Sequence, residues 1–311
     1  MSLSIRRNLL SIVLISSLFA CEEKMTQGEI VQIGIASCRT VAPFIRKMDF
    51  DPKRSGFSSS EPNIKGIALV QFPTDPADTV NKKVWQDPTW GQFGWMGGIA
   101  TDNQGNAYTA PVPKVSIYET PLSQMSRIYK IDANTGKMEL GCVLPAADTS
   151  QGVVPYAVLG IYYDCHGRRL YVSTVAGSTR DEEKGAIYVI DPQTWKIEDE
   201  LTGVDAIGVF VGGITGEKRL FYGNARSSAV HSIELTKSGR FKGKPRFEFT
   251  LDQLGPRGDD KARRMRLEPN GNLVVMGAEF NYSLAIQSHR VEDGYVFRYD
   301  RMQNQWVRMH P

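Results

Sequence analysis

The amino-acid sequence predicts an all-β fold, a β-propeller of four-stranded blades. Three observations carry this prediction. Runs of alternating apolar and polar residues, rich in Val, Ile, Tyr and Phe and bounded by Gly, Asn and Asp, recur through the chain and are typical of strands. Helical periodicity is hard to find. The same order of strands and turns is also repeated along the chain, which is the sequence signature of a repeat architecture.

Four copies of the repeat are clear, and each begins with two strands joined by a tight turn. Asn-Gly, His-Gly or Thr-Gly pairs stand in such turns and supply the positive φ that a tight connection needs. A third strand follows after a variable loop, ends in Asp or a substitute, and leads through a turn to a fourth strand that carries a Trp, Phe or Met. The first two strands of the copies lie in residues 97–110, 159–175, 211–225 and 265–278.

The third strand sets the size of the unit. In the four copies it begins near Ile128, Ile187, Val230 and Val296, at spacings of 59, 43 and 66 residues, and a fainter fifth copy covers residues 65–87. A four-stranded unit of this size is typical of a propeller blade, because one sheet cannot cover both of its own apolar faces and neighbouring blades can. A β-sandwich with regular hairpins is the alternative. Recurrence of the "IYxID" pattern in the third strand favours the propeller.

The number of blades is expected to be six, although five repeats are visible. The N-terminal stretch "EIVQIGIAS", residues 29–37, is either a strand that closes the ring or the remnant of a sixth blade.

The N-terminus predicts export and lipidation. Arg6 and Arg7 precede a short apolar run over residues 9–19, as in a secretory signal. Leu18-Phe19-Ala20-Cys21 resembles the lipobox of bacterial lipoproteins, in which the cysteine carries the lipid; an ordinary secretory signal is the alternative. The predicted organisation is a signal peptide over 1–20, lipidated Cys21 with a short linker over 21–28, and one propeller domain over 29–311.

Charge excludes nucleic acid as the partner. Removal of residues 1–20 takes away two arginines and no acid, which leaves 35 basic against 34 acidic side chains. Phosphate binding needs a concentrated excess of Lys and Arg. The predicted contacts are instead the membrane, through the lipid anchor, and a small molecule or a protein. We expect a monomer in the cell envelope, at the periplasmic or outer face of the outer membrane.

The cysteines leave one question open. With Cys21 assigned to lipid, Cys38, Cys142 and Cys165 remain, so at most one disulfide forms within the chain. Their spacing fits no zinc site. Cys165 and His166 are adjacent in a "DCHG" stretch that could bind a metal or act as nucleophile and base; a simple turn between two strands is favoured, because adjacent residues point in opposite directions.

The stretches "PYAVLGIYYDCHGRRLYVSTVAGSTRDEEKGAIYVID" and "GVDAIGVFVGGITGEKRLFYGNARSSAVHSIEL" resemble blades of the six-bladed propellers related to SMP-30/gluconolactonases and to the yellow/major royal jelly proteins. The lactonase branch implies a divalent metal on the propeller axis, held by Glu, Asn and Asp at the starts of blades. Here Ala157, Ala206 and Arg264 stand near those positions, and Asp205 is the one acid. We therefore predict no catalytic residue, no metal ligand and no cofactor; one divalent metal such as calcium is the alternative.

The same blade starts supply the candidate ligand-binding residues. If they ring one axial pocket, Trp95, Tyr156, Asp205 and Arg264 form a mixed set that suits a small polar ligand. Three long loops would then vary the specificity, at residues 111–126, 177–184 and 279–293.

The stretch "WQDPTWGQFGWMGGIA", residues 85–100, is a further binding candidate, because exposed Trp faces between glycines can stack against sugars or apolar rings. Packing of these aromatics between blades is the favoured alternative.

Three functional hypotheses follow. The first is a lipid-anchored envelope propeller that binds a small polar ligand or a partner protein without catalysis. The second is an SMP-30-like metal-dependent lactonase or esterase. The third is a purely structural envelope protein.

Overall fold

The structure is a computed structural model that describes residues 40–75, 78, 81–113, 122–145, 156–214, 216–283 and 291–309. It confirms the all-β propeller: five antiparallel sheets follow one another along the chain, and the strands of each sheet are hydrogen-bonded in sequence order. Each sheet is called a blade below. Cys21, Cys38 and parts of the long loops lie outside the described residues.

Blade 1 has three strands: β1 (Ser55–Ser58), β2 (Ala68–Gln71) and β3 (Lys83–Trp85). Blade 2 comprises β4 (Met96–Thr101), β5 (Ala107–Pro111), β6 (Arg127–Ile131) and β7 (Met138–Val143). Blade 3 comprises β8 (Val158–Asp164), β9 (Arg169–Thr174), β10 (Ala186–Ile190) and β11 (Ile197–Thr202). Blade 4 comprises β12 (Ala206–Ile214), β13 (Glu217–Asn224), β14 (Ala229–Leu235) and β15 (Phe241–Thr250). Blade 5 comprises β16 (Lys261–Leu267), β17 (Leu273–Ala278), β18 (Asp293–Asp300) and β19 (Gln305–Arg308).

The structure corrects the expected number of blades. The described residues form five blades, not six, and all five visible repeats are accounted for. The third strands begin where the repeats predict, in β6, β10, β14 and β18. The stretch 29–37, which suggested a sixth blade, lies outside the described residues.

Helix is scarce, as predicted. Within the described part of the chain there is one α-helix, α1 (Pro43–Lys47), and one 3-10 turn, Leu122–Gln124. Sequence patterning missed α1 because five residues are too few to show a period. Proline at its first turn has the φ a helix needs, and the helix buries Phe44 and Ile45. No helix in the described ranges has the length and apolarity needed to cross a membrane.

Apolar clusters between successive blades hold the ring together. Four of them are described, joining blades 1 and 2, 2 and 3, 3 and 4, and 4 and 5. Their fully or almost fully buried members include Leu69 and Tyr129, Ile128 and Val172, Val189 and Leu220, and Phe221 and Val275.

The first strands of blades 2 to 5 form the inner wall of the ring, because β4 contacts β8, β8 contacts β12, and β12 contacts β16. They approach so closely that glycine is required. A Cβ on Gly208 would lie 2.1 Å from the carbonyl oxygen of Arg263, and one on Gly160 would lie 3.2 Å from the Cα of Gly208. Contacts this close to backbone atoms leave no room for a side chain.

The two ends of the ring differ sharply. Because strands alternate in direction, the turns of blades 2 to 5 between first and second strands and between third and fourth strands lie at one end, here called the turn face. They are short: 102–106, 132–137, 165–168, 191–196, 215–216, 236–240, 268–272 and 301–304. The opposite end, the loop face, carries most of the long connections: 86–95, 112–126, 144–157, 175–185, 251–260 and 279–292.

We expect Gly208→Ala to lower the free energy of unfolding by about 2 kcal/mol, because the added methyl group collides with backbone that cannot move freely. Gly56→Ala in β1 is the matched control, since nothing lies within 4 Å of its Cβ position; its effect should stay within about 0.5 kcal/mol. Urea unfolding of both variants measures the difference, and equal effects would contradict the proposed close approach.

Candidate functional site

Three of the four sequence-predicted ligand residues lie on the loop face, each just before an innermost strand. Trp95 precedes β4, Tyr156 precedes β8 and Asp205 precedes β12. Arg264 lies farther along, within β16. The described contacts connect Tyr156 and Asp205 through Phe280 and Tyr282.

Asp205 is the centre of a saturated hydrogen-bond network. It is fully buried. Its Oδ1 accepts hydrogen bonds from Ser178 Oγ at 2.5 Å and from the amide of Gly185 at 2.9 Å. Its Oδ2 accepts from Arg226 Nε and from Tyr282 Oη, both at 2.8 Å. Two carboxylate oxygens have about four acceptor positions in all, and all are used. Asp205 therefore holds these four donors in place and has no unused lone pair for a ligand.

Arg226 extends the network to the loop 175–185, which joins β9 to β10. Its guanidinium donates to the carbonyl oxygens of Thr179, Arg180 and Glu182 at 2.6–2.9 Å. It also lies over the ring of Tyr282, 4.9 Å from the centroid. Arg226 thus contacts three carbonyls of the loop, the carboxylate of Asp205 and the ring of Tyr282. We call Asp205 and Arg226 the loop latch.

A second carboxylate repeats the arrangement in blade 5. Asp260, immediately before β16, is fully buried and accepts from Arg257 at 2.6 and 3.0 Å and from Tyr295 Oη at 2.6 Å. The expectation that Asp205 is the one acid at a blade start is therefore wrong. In the sequence, the available signal was Asp260, which stands directly before the strand.

Aromatic side chains form a cluster beside the loop latch. Phe280 contacts Tyr156 edge-to-face with ring centroids 5.4 Å apart, and Tyr282 edge-to-face at 5.1 Å. All three rings are half-buried, and they pack on the buried side chains of Val175 and Ile207. Burial raises the pKa of the Tyr156 hydroxyl, and burial with the Asp205 charge raises the pKa of Tyr282. Both hydroxyls stay protonated at neutral pH. We call Tyr156, Phe280 and Tyr282 the aromatic trio.

Arg264 belongs to a separate ion-pair group. Its guanidinium is exposed and pairs with the nearly buried carboxylate of Glu292, which also accepts from Arg263 at 3.5 Å. The acid neutralises part of the positive charge at this edge of β16.

The tryptophan-rich stretch packs mainly between blades 1 and 2. Trp90 is fully buried, donates from Nε1 to the carbonyl of Gly136 at 2.7 Å, and contacts Trp85 edge-to-face at 5.1 Å. Phe93 stacks on Tyr129 at 4.5 Å. Trp85, Trp90 and Phe93 therefore fit the interpretation that these aromatics pack between blades. Trp95 is half-buried, and its carbonyl accepts from the amide of Val112 at 2.8 Å.

The cysteines divide into two kinds. Cys165 lies in the turn between β8 and β9, as predicted, and is disulfide-bonded, so its sulfur is not a free nucleophile. Among the described residues Cys142 is a free thiol. Burial raises the pKa of Cys142 to about 11, which disfavours the reactive thiolate.

The part of the chain that the structure describes holds no group of three or more His, Cys, Asp or Glu side chains that could bind a metal ion.

The sequence matches no family model and no curated protein. Among solved structures it is similar to hydrazine synthase of Kuenenia stuttgartiensis, with a TM-score of 0.50 and 13% identity over 82% of this chain and 62% of that one. It is also similar to a protein of unknown function from Bacteroides caccae, with a TM-score of 0.45 and 9% identity over 83% and 73% of the two chains. An exo-beta-1,3-galactanase from Phanerochaete chrysosporium gives 0.46 and 11% over 82% and 59%. At these identities, the similarity to hydrazine synthase shows the fold alone.

The loop latch predicts a large effect of one carboxylate. Asp205→Ala should lower the free energy of unfolding by about 3 kcal/mol, because it strands a partly buried guanidinium and several donors. Asp181→Asn, an exposed acid in the same loop, should change it by no more than about 0.5 kcal/mol. Denaturant unfolding distinguishes the two, and a near-neutral Asp205→Ala would contradict the latch.

Cys142 should react slowly. Because its pKa is raised from 9.0 to about 11, its thiolate population at pH 8 falls roughly one hundredfold. We expect labelling by a thiol-disulfide reagent to be slow in the native protein at pH 8, to accelerate towards pH 11, and to become fast in denaturant. A native rate at pH 8 equal to the denatured rate would contradict this environment.

Proposed function

We propose that this chain is an exported, lipid-anchored propeller of the cell envelope, which binds a small polar ligand on its loop face without catalysis. The observation that carries the proposal is the pairing of the loop latch with the aromatic trio on the loop face. The supporting arguments concern rigidity, chemistry and compartment.

Rigidity supports binding. Loops carry specificity when a scaffold holds them, and the loop 175–185 is held by Arg226 through three carbonyl hydrogen bonds. The half-buried rings of the aromatic trio need little reordering to contact a ligand, so the entropy cost of binding is small. An aromatic surface next to hydroxyl groups suits a ligand with one apolar and one polar side, such as a sugar or a metabolite with a ring.

The chemistry of the blade starts supports a non-catalytic role. The carboxylates of Asp205 and Asp260 are each neutralised by an arginine and bonded to a tyrosine hydroxyl. A carboxylate with both oxygens engaged in this way offers no free oxygen to a metal. The SMP-30-like lactonase therefore remains the alternative, and membership of that family remains a prediction.

The disulfide supports export. Disulfides form and persist in oxidising compartments such as the bacterial periplasm. The Cys165 disulfide and the signal-like N-terminus are consistent with the same destination, and Cys21 would supply the lipid anchor.

Ligand binding is tested by thermal unfolding of the purified mature protein against a library of sugars and metabolites, followed by calorimetric titration of any hit. We expect at least one ligand to raise the melting temperature. Phe280→Ala should weaken its affinity about tenfold or more, because a stacked ring is lost. Val143→Ala, on the outer strand β7, is the control and should leave the affinity unchanged.

Three results would contradict the proposal. Absence of any shift across the library would favour a structural envelope protein. A hit whose affinity is unchanged by Phe280→Ala would remove the site. Lactone or ester turnover that is abolished by EDTA, with a stoichiometric bound metal, would establish the hydrolase instead.

A further inference from the structure

We propose that the cavity beside α1 is a binding site for a small organic anion, a molecule that carries a carboxylate or phosphate group. The cavity is an open depression of about 500 Å³, which is within the size range of pockets that hold small ligands. Its walls come from α1, from residues 49–54 and from the strands β2 and β3 of blade 1. We call it the α1 cavity.

The α1 cavity lies at the opposite end of the ring from the aromatic trio. The amide of Phe44 in α1 donates to the carbonyl of Ala133 at 3.2 Å, and Ala42, directly before the helix, lies against Gly105. Ala133 and Gly105 belong to the two tight turns of blade 2 on the turn face. The anion site is therefore separate from the ligand site on the loop face and does not depend on it.

Arg54 is fixed on one wall of the α1 cavity by three hydrogen bonds. Its Nε donates to Asp51 Oδ2 at 2.8 Å. Its Nη1 donates to the carbonyl of Phe72 at 3.2 Å and to Thr74 Oγ1 at 2.9 Å. These bonds use the hydrogen of Nε and both hydrogens of Nη1, so the two hydrogens of Nη2 are left for another acceptor. A guanidinium that is already positioned loses little conformational entropy when it binds an anion.

Lys83, at the start of β3, is fixed on another wall. Its Nζ donates to the carbonyl of Asp49 at 2.6 Å and lies 4.3 Å from the ring centroid of Phe50, which is buried. The Asp49 carboxylate lies 3.6 Å from the same nitrogen but is fully exposed, so water screens the pair. The ammonium group has three hydrogens in all and therefore keeps donor capacity for a ligand in the cavity.

Most acceptors in the cavity wall are already engaged, whereas donors are left over. Asp51 accepts from the amide of Lys53 with Oδ1 at 2.9 Å and from Arg54 with Oδ2 at 2.8 Å. The hydrogen bonds from Arg54 and Lys53 hold the pKa of Asp51 below its usual range, so this carboxylate is charged at neutral pH and cannot donate. Gln71 accepts from the amide of Asp51 with Oε1 at 2.6 Å, which leaves its Nε2 as a donor. A wall that offers donors suits an anion better than a cation.

The charge of the lining favours the same ligand class. Arg46, an exposed residue in the last turn of α1, adds a third cation to Arg54 and Lys83. Two carboxylates, those of Asp49 and Asp51, stand against these three cations, so the lining carries one net positive charge. Arginine binds carboxylate and phosphate groups through charge-assisted hydrogen bonds in a planar fork. Six of the seven lining residues are polar or charged, which suits a hydrophilic anion such as a sugar acid or a short polycarboxylate.

Binding is tested by titrating the purified protein with citrate, with glucuronate and with inorganic phosphate, and following the backbone amide signals by NMR. Sodium chloride keeps the ionic strength constant, because exposed charges are screened by salt. We expect the amides of residues 46–54 and 71–72 to shift and to saturate with at least one probe, since they border the α1 cavity. The amides of the loop 175–185 on the loop face should not shift.

Two adjacent residues supply matched variants. Arg46 and Lys47 are both exposed basic residues in the last turn of α1, and Arg46 is the one that lines the cavity. Arg46→Gln should weaken the affinity about tenfold, because a charge-assisted hydrogen bond is lost. Lys47→Gln removes the same charge and should change the affinity by no more than about twofold. Both variants should keep the melting temperature of the unaltered protein, since neither side chain is buried.

Three outcomes would overturn the proposal. Absence of a saturable shift with all three probes would remove the site. Equal weakening by Arg46→Gln and Lys47→Gln would show a general attraction of anions to a positive surface, not binding in the cavity. Loss of probe affinity in Phe280→Ala would place the anion on the loop face instead. Because the α1 cavity and the aromatic trio lie at opposite ends of the ring, a failure of the proposed function leaves a positive result here standing.

Discussion

The close approach of the innermost strands around the axis is the constraint on which the rest of the molecule depends. Gly160 and Gly208 allow backbone to meet backbone there, and this narrow centre forces the blades to fan outwards. The apolar faces of each sheet then lie against the next blade, where side chains such as Leu220 and Phe221 are buried from both directions. Packing between blades, not within one sheet, supplies the hydrophobic stabilisation.

The same geometry places the tight turns and the candidate binding surface at opposite ends of the ring. The first strands of blades 2 to 5 all start at the loop face, where the longest connections lie, and the tight turns of these blades lie at the turn face. Asp205 and Asp260 stand where a strand enters the ring, and each binds an arginine and a tyrosine. These acids stabilise the starts of blades 4 and 5. The half-buried rings of the aromatic trio are left as the surface that can take part in recognition.

The sequence predicted the fold from local signals. Period-two runs, Gly-containing turns and the recurring third strand depend on residues close in the chain, so the four regular blades were found in order. Helix α1 was missed because five residues are too few to show a period. The number of blades depends on how the ring closes, and periodicity carries no information on that. For the candidate site, Asp205 was found by its place before β12, but its saturation depends on Arg226 and Tyr282, 21 and 77 residues away. Such contacts follow from the fold alone.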